Sequence, residues 1–316
     1  MNPFGTILAF LIIHFSLILP VQAQHKDSLA DGKVVTLSDV VVRKGMDVQG
    51  FIDRVRKDTS FYKAFRNLRV LGFTSLNDIR IFDPSHAVKA SLYSRTTQKV
   101  AHGCRKTEKI SEQINGNFYD DDGGYRYYTA ELYAGLFFAW DTICGETNIV
   151  NGMQRSLRGK KGLDRHKEQL KMLFFDPGQP IPGIPLMGNK AALFDPTNSE
   201  LYDFTIDIEE YQGSACYVFD VKARDDLKPS QRDNVVIDGM KTRFDYTSFQ
   251  VLSRQYRMSY DAGLYHFQVQ MEVELAPWGK YLVPHLIRYT GDWGVLFRKK
   301  EDAVFTATLF DFEEPK

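Results

Sequence analysis

His102-Gly103-Cys104 sets a thiol two residues from an imidazole, the two groups that a cysteine nucleophile and its base would supply. Such a pair is assembled by the fold and not by adjacency along the chain, and a disulfide at Cys104 would abolish it. Asp120-Asp121-Asp122-Gly123 offers carboxylates to a cation, yet the alternating ligand spacing of a helix-loop-helix calcium site is missing and no Glu closes it. Asp and Gly in this density predict a hairpin turn instead. Gly159-Lys160-Lys161 lacks both the upstream glycine at P-loop spacing and a following Ser or Thr, which leaves a solvated basic turn. His266 and His285 fall in strand patterns with no third ligand at metal spacing. Neither a Gly-x-Ser-x-Gly elbow nor a His-Glu-x-x-His pair occurs. The sequence therefore predicts no catalytic residue, no metal and no cofactor, and the chain is read as non-enzymatic.

Cys104, Cys144 and Cys216 are the only cysteines. Cys104 and Cys144 both flank turn-like stretches, His102-Gly103 and Gly145-Glu146, whereas Cys216 sits in a strand pattern; in an oxidising compartment the first two are the expected disulfide. Three buried thiols acting as small hydrophobes are the alternative.

The elements that would carry any site follow from hydrophobic period. Val40-Val41-Val42 reads as a short strand after a flexible leader over 24–36, and Asp47 is a candidate cap for a helix with Val48, Phe51, Ile52 and Val55 on one face. A second helix from Asp58 or Thr59 places Phe61, Ala64, Phe65 and Leu68 at core spacing. Strands are expected at 69–73, 78–82, 88–94 and 110–118, and the Asp122-Gly123-Gly124 turn predicts a hairpin with a strand running from Tyr125 through Tyr133 to Phe138. At 163–188 a helix carrying Leu163, Leu170, Leu173 and Phe174 ends at Asp176-Pro177-Gly178, and a Pro-rich loop follows with Ile181, Ile184 and Leu186. From Leu201 onward apolar and polar residues alternate: Tyr202, Phe204, Ile206 and Ile208, then Tyr217, Phe219 and Val221, then Phe267, Val269, Met271, Val273 and Leu275. Turns at Gln212-Gly213, Asp261-Ala262-Gly263, Pro277-Trp278-Gly279 and Gly291-Asp292 divide this region into an antiparallel meander. Without βαβ alternation, the fold class is α+β, mainly β: a curved antiparallel sheet, an open half-barrel, with helices packed on one side.

The N-terminus carries an address. An uncharged apolar run from Phe4 to Pro20 ends in Val21-Gln22-Ala23, which predicts a signal peptide over 1–23 cut after Ala23, and hence a periplasmic or otherwise exported protein. The first residues hold no Lys or Arg, and by length an uncleaved anchor of about 20 residues is also compatible. Nothing later in the chain is apolar for long enough to span a bilayer as a helix. Lys+Arg 40 balances Asp+Glu 40, which argues against nucleic acid as a partner. The span 37–316 is read as one β-rich domain.

The order of helix, strands, helix with loop and long meander resembles the periplasmic lipoprotein carriers and their outer-membrane receptors, of Lol type, which hold acyl chains in an open half-barrel closed by helices. Leu170 to Phe175 with Pro177-Gly178, Cys216-Tyr217-Val218-Phe219, and Phe249 to Tyr256 look like an uncharacterised family of Bacteroidota envelope proteins. The resemblance implies a lipid or lipoprotein acyl chain as ligand, lined by Phe204, Ile206, Phe267, Val269 and Met271 under a movable cover of Leu173, Ile181, Ile184 and Leu186. Plain core packing is the alternative for each of these residues. An envelope protein partner, docked at sheet edges or near the Trp278 and Trp293 turns, is the second functional reading, and an enzyme of unknown class the third.

Overall fold

The computed structural model describes residues 34–37, 40–43, 47–150, 169, 172–181, 187, 189–263, 265–295 and 300–315. The signal peptide, Lys160, Leu163, Leu170, Ile184 and Leu186 lie outside the described residues.

The strands are β1 (Val34–Leu37), β2 (Val40–Arg43), β3 (Gly72–Phe82), β4 (Val88–Ala101), β5 (Cys104–Asn115), β6 (Ile143–Cys144) and β7 (Tyr202–Tyr211). They continue with β8 (Ser214–Ala223), β9 (Ile237–Asp245), β10 (Val251–Asp261), β11 (Tyr265–Trp278), β12 (Tyr281–Val295) and β13 (Glu301–Glu313). Among the described residues they form one sheet in the order β1-β2-β7-β8-β9-β10-β11-β12-β13-β3-β4-β5-β6, and it does not close into a barrel. All neighbours are antiparallel except β2 and β7. Bulges at 81/82, 95/96, 257/258 and 274/275 bend and twist the strands, which curves the sheet. This is the open, helix-backed sheet expected from the sequence.

Two-residue loops tie the strands. His102-Gly103 and Gln212-Gly213 both have positive φ at each residue (52° and 73°; 52° and 81°), the backbone that matches strand twist in a tight hairpin.

Strict alternation then separates the two faces. The inner face carries Phe204, Phe219, Met240, Tyr256, Met271, Ile287 and Phe305, all buried, and the outer face carries charged and amide side chains. Three helices close the inner face: α1 (Val48–Lys57), α2 (Ser60–Asn67) and α3 (Tyr128–Phe137). Asp47 caps α1 as its sequence position suggests, accepting from Gly50 N at 2.9 Å. Phe61, Ala64 and Phe65 of α2 and Leu68 just beyond it are buried against the strands at the predicted spacing. The buried apolar residues of helices and strands join into one continuous core.

Several sequence expectations are corrected. Val34–Leu37, which straddles the expected end of the leader at 36, is a strand paired with β2. The separate strands at 69–73 and 78–82 are one strand, β3, beginning at Gly72. The Asp122-Gly123-Gly124 turn does reverse the chain, with a single bridge between Tyr119 and Tyr125, but the aromatic run after it is α3 and not a strand. Ala130, Tyr133, Ala134 and Phe137 fall at helical spacing, and the Glu301 carboxylate, 173 residues away, accepts from Tyr128 N at 2.9 Å and Thr129 N at 3.0 Å at the helix start. Gly291-Asp292 is no turn: it lies inside β12, paired with Val269 and Gln268. Trp293 accordingly packs in the core and is not an exposed docking residue.

Candidate functional site

The five strand residues expected to line a ligand site all face inward and are all buried. They form two groups, because β8, β9 and β10 separate β7 from β11, four strand spacings of about 4.8 Å each. On β7, Phe204 packs on Phe194 and Phe219, with ring centroids 6.2 and 5.9 Å away. On β11, Phe267 meets Trp293 at 5.1 Å, and Met271 stands opposite Tyr256 and Tyr289. Leu173 and Ile181, at 1% exposure each, belong to the same buried core.

A solvent-poor crevice reaches this lining at the β11 group. It runs between Leu132, Leu136 and Phe137 of α3, Phe174 and Phe175 of a helical turn at 172–175, and Met271, Tyr289 and Phe305 of the sheet. Its walls are apolar but for Thr129 and the Tyr289 hydroxyl, and its open space is about 10 Å³, too little for more than a single water. Among the described residues, α3 and the 172–175 turn shut this crevice against the sheet.

Polar groups of β10 hold that cover in place. Arg254 and Tyr256 are two residues apart and both face inward. The Tyr256 hydroxyl donates to the Phe174 carbonyl, at the end of the helical turn. The Arg254 guanidinium is buried, lies 4.3 Å from the centre of the Phe61 ring, donates to Thr242 Oγ1 at 3.0 Å and is attracted by Asp58 and Asp176. A guanidinium placed this deep is costly, and the two carboxylates offset part of that cost through space, without a direct ion pair among the described residues. Asp176 retains some solvent contact, but its surroundings desolvate the carboxyl and push it up to about 7 against the pull of Arg254. Phe175 completes the attachment by stacking on Phe65 of α2 at 4.1 Å.

No family model matches this chain, and no curated protein matches it. Among solved structures, it is similar to a putative outer membrane lipoprotein-sorting protein domain from Vibrio parahaemolyticus, at 8% identity and TM-score 0.26, covering 84% of this chain and 91% of that one. It is also similar to a DUF1329 family protein from Desulfovibrio piger, at 9% identity and TM-score 0.24, covering 81% of this chain and 94% of that one. Likeness this distant leaves function to be read from the residues themselves.

A buried polar network was not foreseen. Tyr133 of α3 donates to Asn77 Oδ1 at 2.6 Å, Asn77 reaches Ser94 Oγ and Thr96 Oγ1 at 3.3 Å each, and Ser75 meets Thr96 at 2.7 Å. Gln98 Nε2 donates to the carbonyls of Leu68 and Leu71 at 2.6 and 2.7 Å, which ties β4 to the end of α2. The signal available in the sequence was parity: Ser75, Asn77, Ser94, Thr96 and Gln98 occupy inward positions where apolar residues would otherwise stand.

The remaining chemical candidates resolve into structure. Cys104 and Cys144 are joined by a disulfide, which removes the thiol beside His102, and Cys216 is free and buried. Asp120 Oδ1 accepts from Asp122 N at 3.2 Å and Gly124 N at 2.7 Å, so its oxygen closes the turn. His266 and His285 stand beside Asp292 and Glu274, at 3.6 and 3.4 Å, and no group of three potential metal ligands occurs among the described residues.

Proposed function

We propose that this chain is an exported, non-catalytic protein of the bacterial envelope that binds an apolar ligand, a lipid or the acyl chain of a lipoprotein, on the inner face of its sheet. One observation carries the reading: the apolar crevice at Met271, Tyr289 and Phe305 is closed by a segment that the Tyr256–Phe174 hydrogen bond attaches to the sheet, with Arg254 attracting Asp176 through space. Apolar transfer stabilises by about 25 cal/mol per Å², so a guest that replaces the cover's own side chains needs no further polar chemistry. Export rests on the 1–23 signal, and among the described residues no helix is long and apolar enough to cross a membrane. The test is organic extraction of protein purified from the native envelope, followed by mass spectrometry: the reading expects a co-purifying lipid that a folded Met271→Asp protein lacks. Lipid-free wild-type protein contradicts it.

A second reading, an interaction module docking a protein partner, is favoured by a different feature. Ile110 and Ile114 are exposed on β5 (57% and 46%), beside a sheet edge that β6 covers only at Cys104 and Arg105.

A further inference from the structure

An open concavity among the described residues lies on the opposite, polar face. A groove of about 670 Å³ runs across β8 to β13, bounded on one side by the 224–236 connection between β8 and β9. Strand register sets its floor as two adjacent rows. In one, Lys222, Gly239, Arg257, Gln270 and Thr290 stand in line across five strands. In the other, Ser259, Gln268, Asp292 and Asp302 do the same across four.

Most charges of the groove are already compensated. Lys222 pairs with Asp225 at 2.7 Å, and Arg232 with Asp238, which also accepts from Ser259 at 3.0 Å. Asp292 pairs with Lys300 at 3.1 Å and Asp302 faces His86 at 3.3 Å. Arg257 is the exception: its guanidinium forms no salt bridge or hydrogen bond among the described residues, and the carboxylate that feels its charge, Asp220, belongs to Lys241 at 3.8 Å. Gly239, its neighbour on β9, has no side chain, and Nη2 of Arg257 lies 3.6 Å from where a Cβ would stand there. The missing side chain leaves the guanidinium room over β9, one free cation at one end of the groove. Gln270, Thr290 and Gln268 continue from it with neutral donors and acceptors. A planar fork of N–H donors without a carboxylate of its own is the arrangement that binds a carboxylate or phosphate.

We infer that this groove is a binding site for a small hydrophilic molecule bearing an oxyanion, its anionic group on Arg257 and its hydroxyl or amino groups along Gln270, Gln268 and Thr290. The site is independent of the inner-face crevice, so either stands if the other fails.

The experiment titrates inorganic phosphate, glycerol 3-phosphate, succinate and phosphatidylglycerol vesicles into the full mature chain, read by calorimetry and by amide chemical shifts. Two variants accompany the wild type. Arg257→Gln removes the free cation, and Gly239→Asp places a carboxylate against it, at a position where φ is not in the left-handed region. The inference expects saturable binding of at least one probe, with shifts confined to β8–β12, weakened tenfold or more in both variants while their melting curves match the wild type. A preference for vesicles over glycerol 3-phosphate would identify a membrane headgroup as the source of the oxyanion, and the reverse preference a soluble metabolite. No saturation by any probe below about 10 mM, a concentration corresponding to only about −2.7 kcal/mol of binding, overturns the site, as does binding that both variants retain unchanged.

Discussion

The hydroxyl of Tyr256, on the inner face of β10, donates to the main-chain carbonyl of Phe174, the residue whose ring closes the crevice against Tyr289 and Trp293 at 6.2 and 5.9 Å. One bond thus links the sheet to the segment that keeps the apolar face shut. Tyr256→Phe retains the ring and removes the donor, leaving a buried carbonyl unsatisfied, at a cost of about 1–3 kcal/mol. Urea denaturation should report that loss, and hydrogen exchange should rise at 172–178 more than in β10. Uniform exchange across the core would mean that the bond holds no cover.

Asp176 should make stability fall as pH rises. Its carboxyl moves from the ordinary 3.8 up to about 7 in the folded protein because burial disfavours the charged form. Between those values the folded chain binds more protons than the unfolded one, so the contribution is fully present below the unfolded value and is lost as pH climbs through the folded value. Asp176→Asn should flatten the stability profile across that window. Superimposable profiles for the two proteins would show that the carboxyl ionises normally.

Tyr133→Phe isolates the network beneath α3. Asn77 Oδ1 loses its donor inside the core, and stability should drop by about 1–3 kcal/mol in denaturant titration. A double-mutant cycle with Asn77→Ala should show coupling, because the two side chains touch. Additive effects would place the network's contribution elsewhere.

The disulfide encloses residues separated by 40 positions, from the start of β5 to β6. Constraining a loop of that length stabilises by about 4 kcal/mol on the chain-entropy model. Reductant should lower the melting temperature of the wild type and leave a Cys104→Ser/Cys144→Ser protein unaffected; equal melting with and without reductant would indicate that the thiols are unpaired in solution.

Alternation made the β7–β13 region legible, since period-2 burial depends on neighbours along one strand, and Asp47 and Phe61 show that caps and helical faces are equally local. What escaped depends on distant partners. The run from Tyr128 to Phe137 has the aromatic content of a strand but is a helix, held at its start by Glu301 and on its face by Asn77. Gly291-Asp292 resembles a turn until Tyr289 is seen to fold its hydroxyl into the space at Gly291, where an added Cβ would come within 2.7 Å. The expected lining residues face inward, but the sequence did not reveal that Phe204 and Met271 lie four strands apart, nor that an apolar crevice opens at the second group.

The most direct test of an acyl-binding inner face is equilibrium titration of a fluorescent fatty acid into delipidated mature protein, comparing wild type, Tyr256→Phe and Leu132→Trp. The account predicts saturable binding by the wild type and tighter apparent binding by Tyr256→Phe, since a larger fraction of molecules is then open. Leu132→Trp, which fills the crevice from α3, should lose that binding. No saturable uptake by any of the three folded proteins, or uptake that Leu132→Trp leaves unchanged, contradicts it.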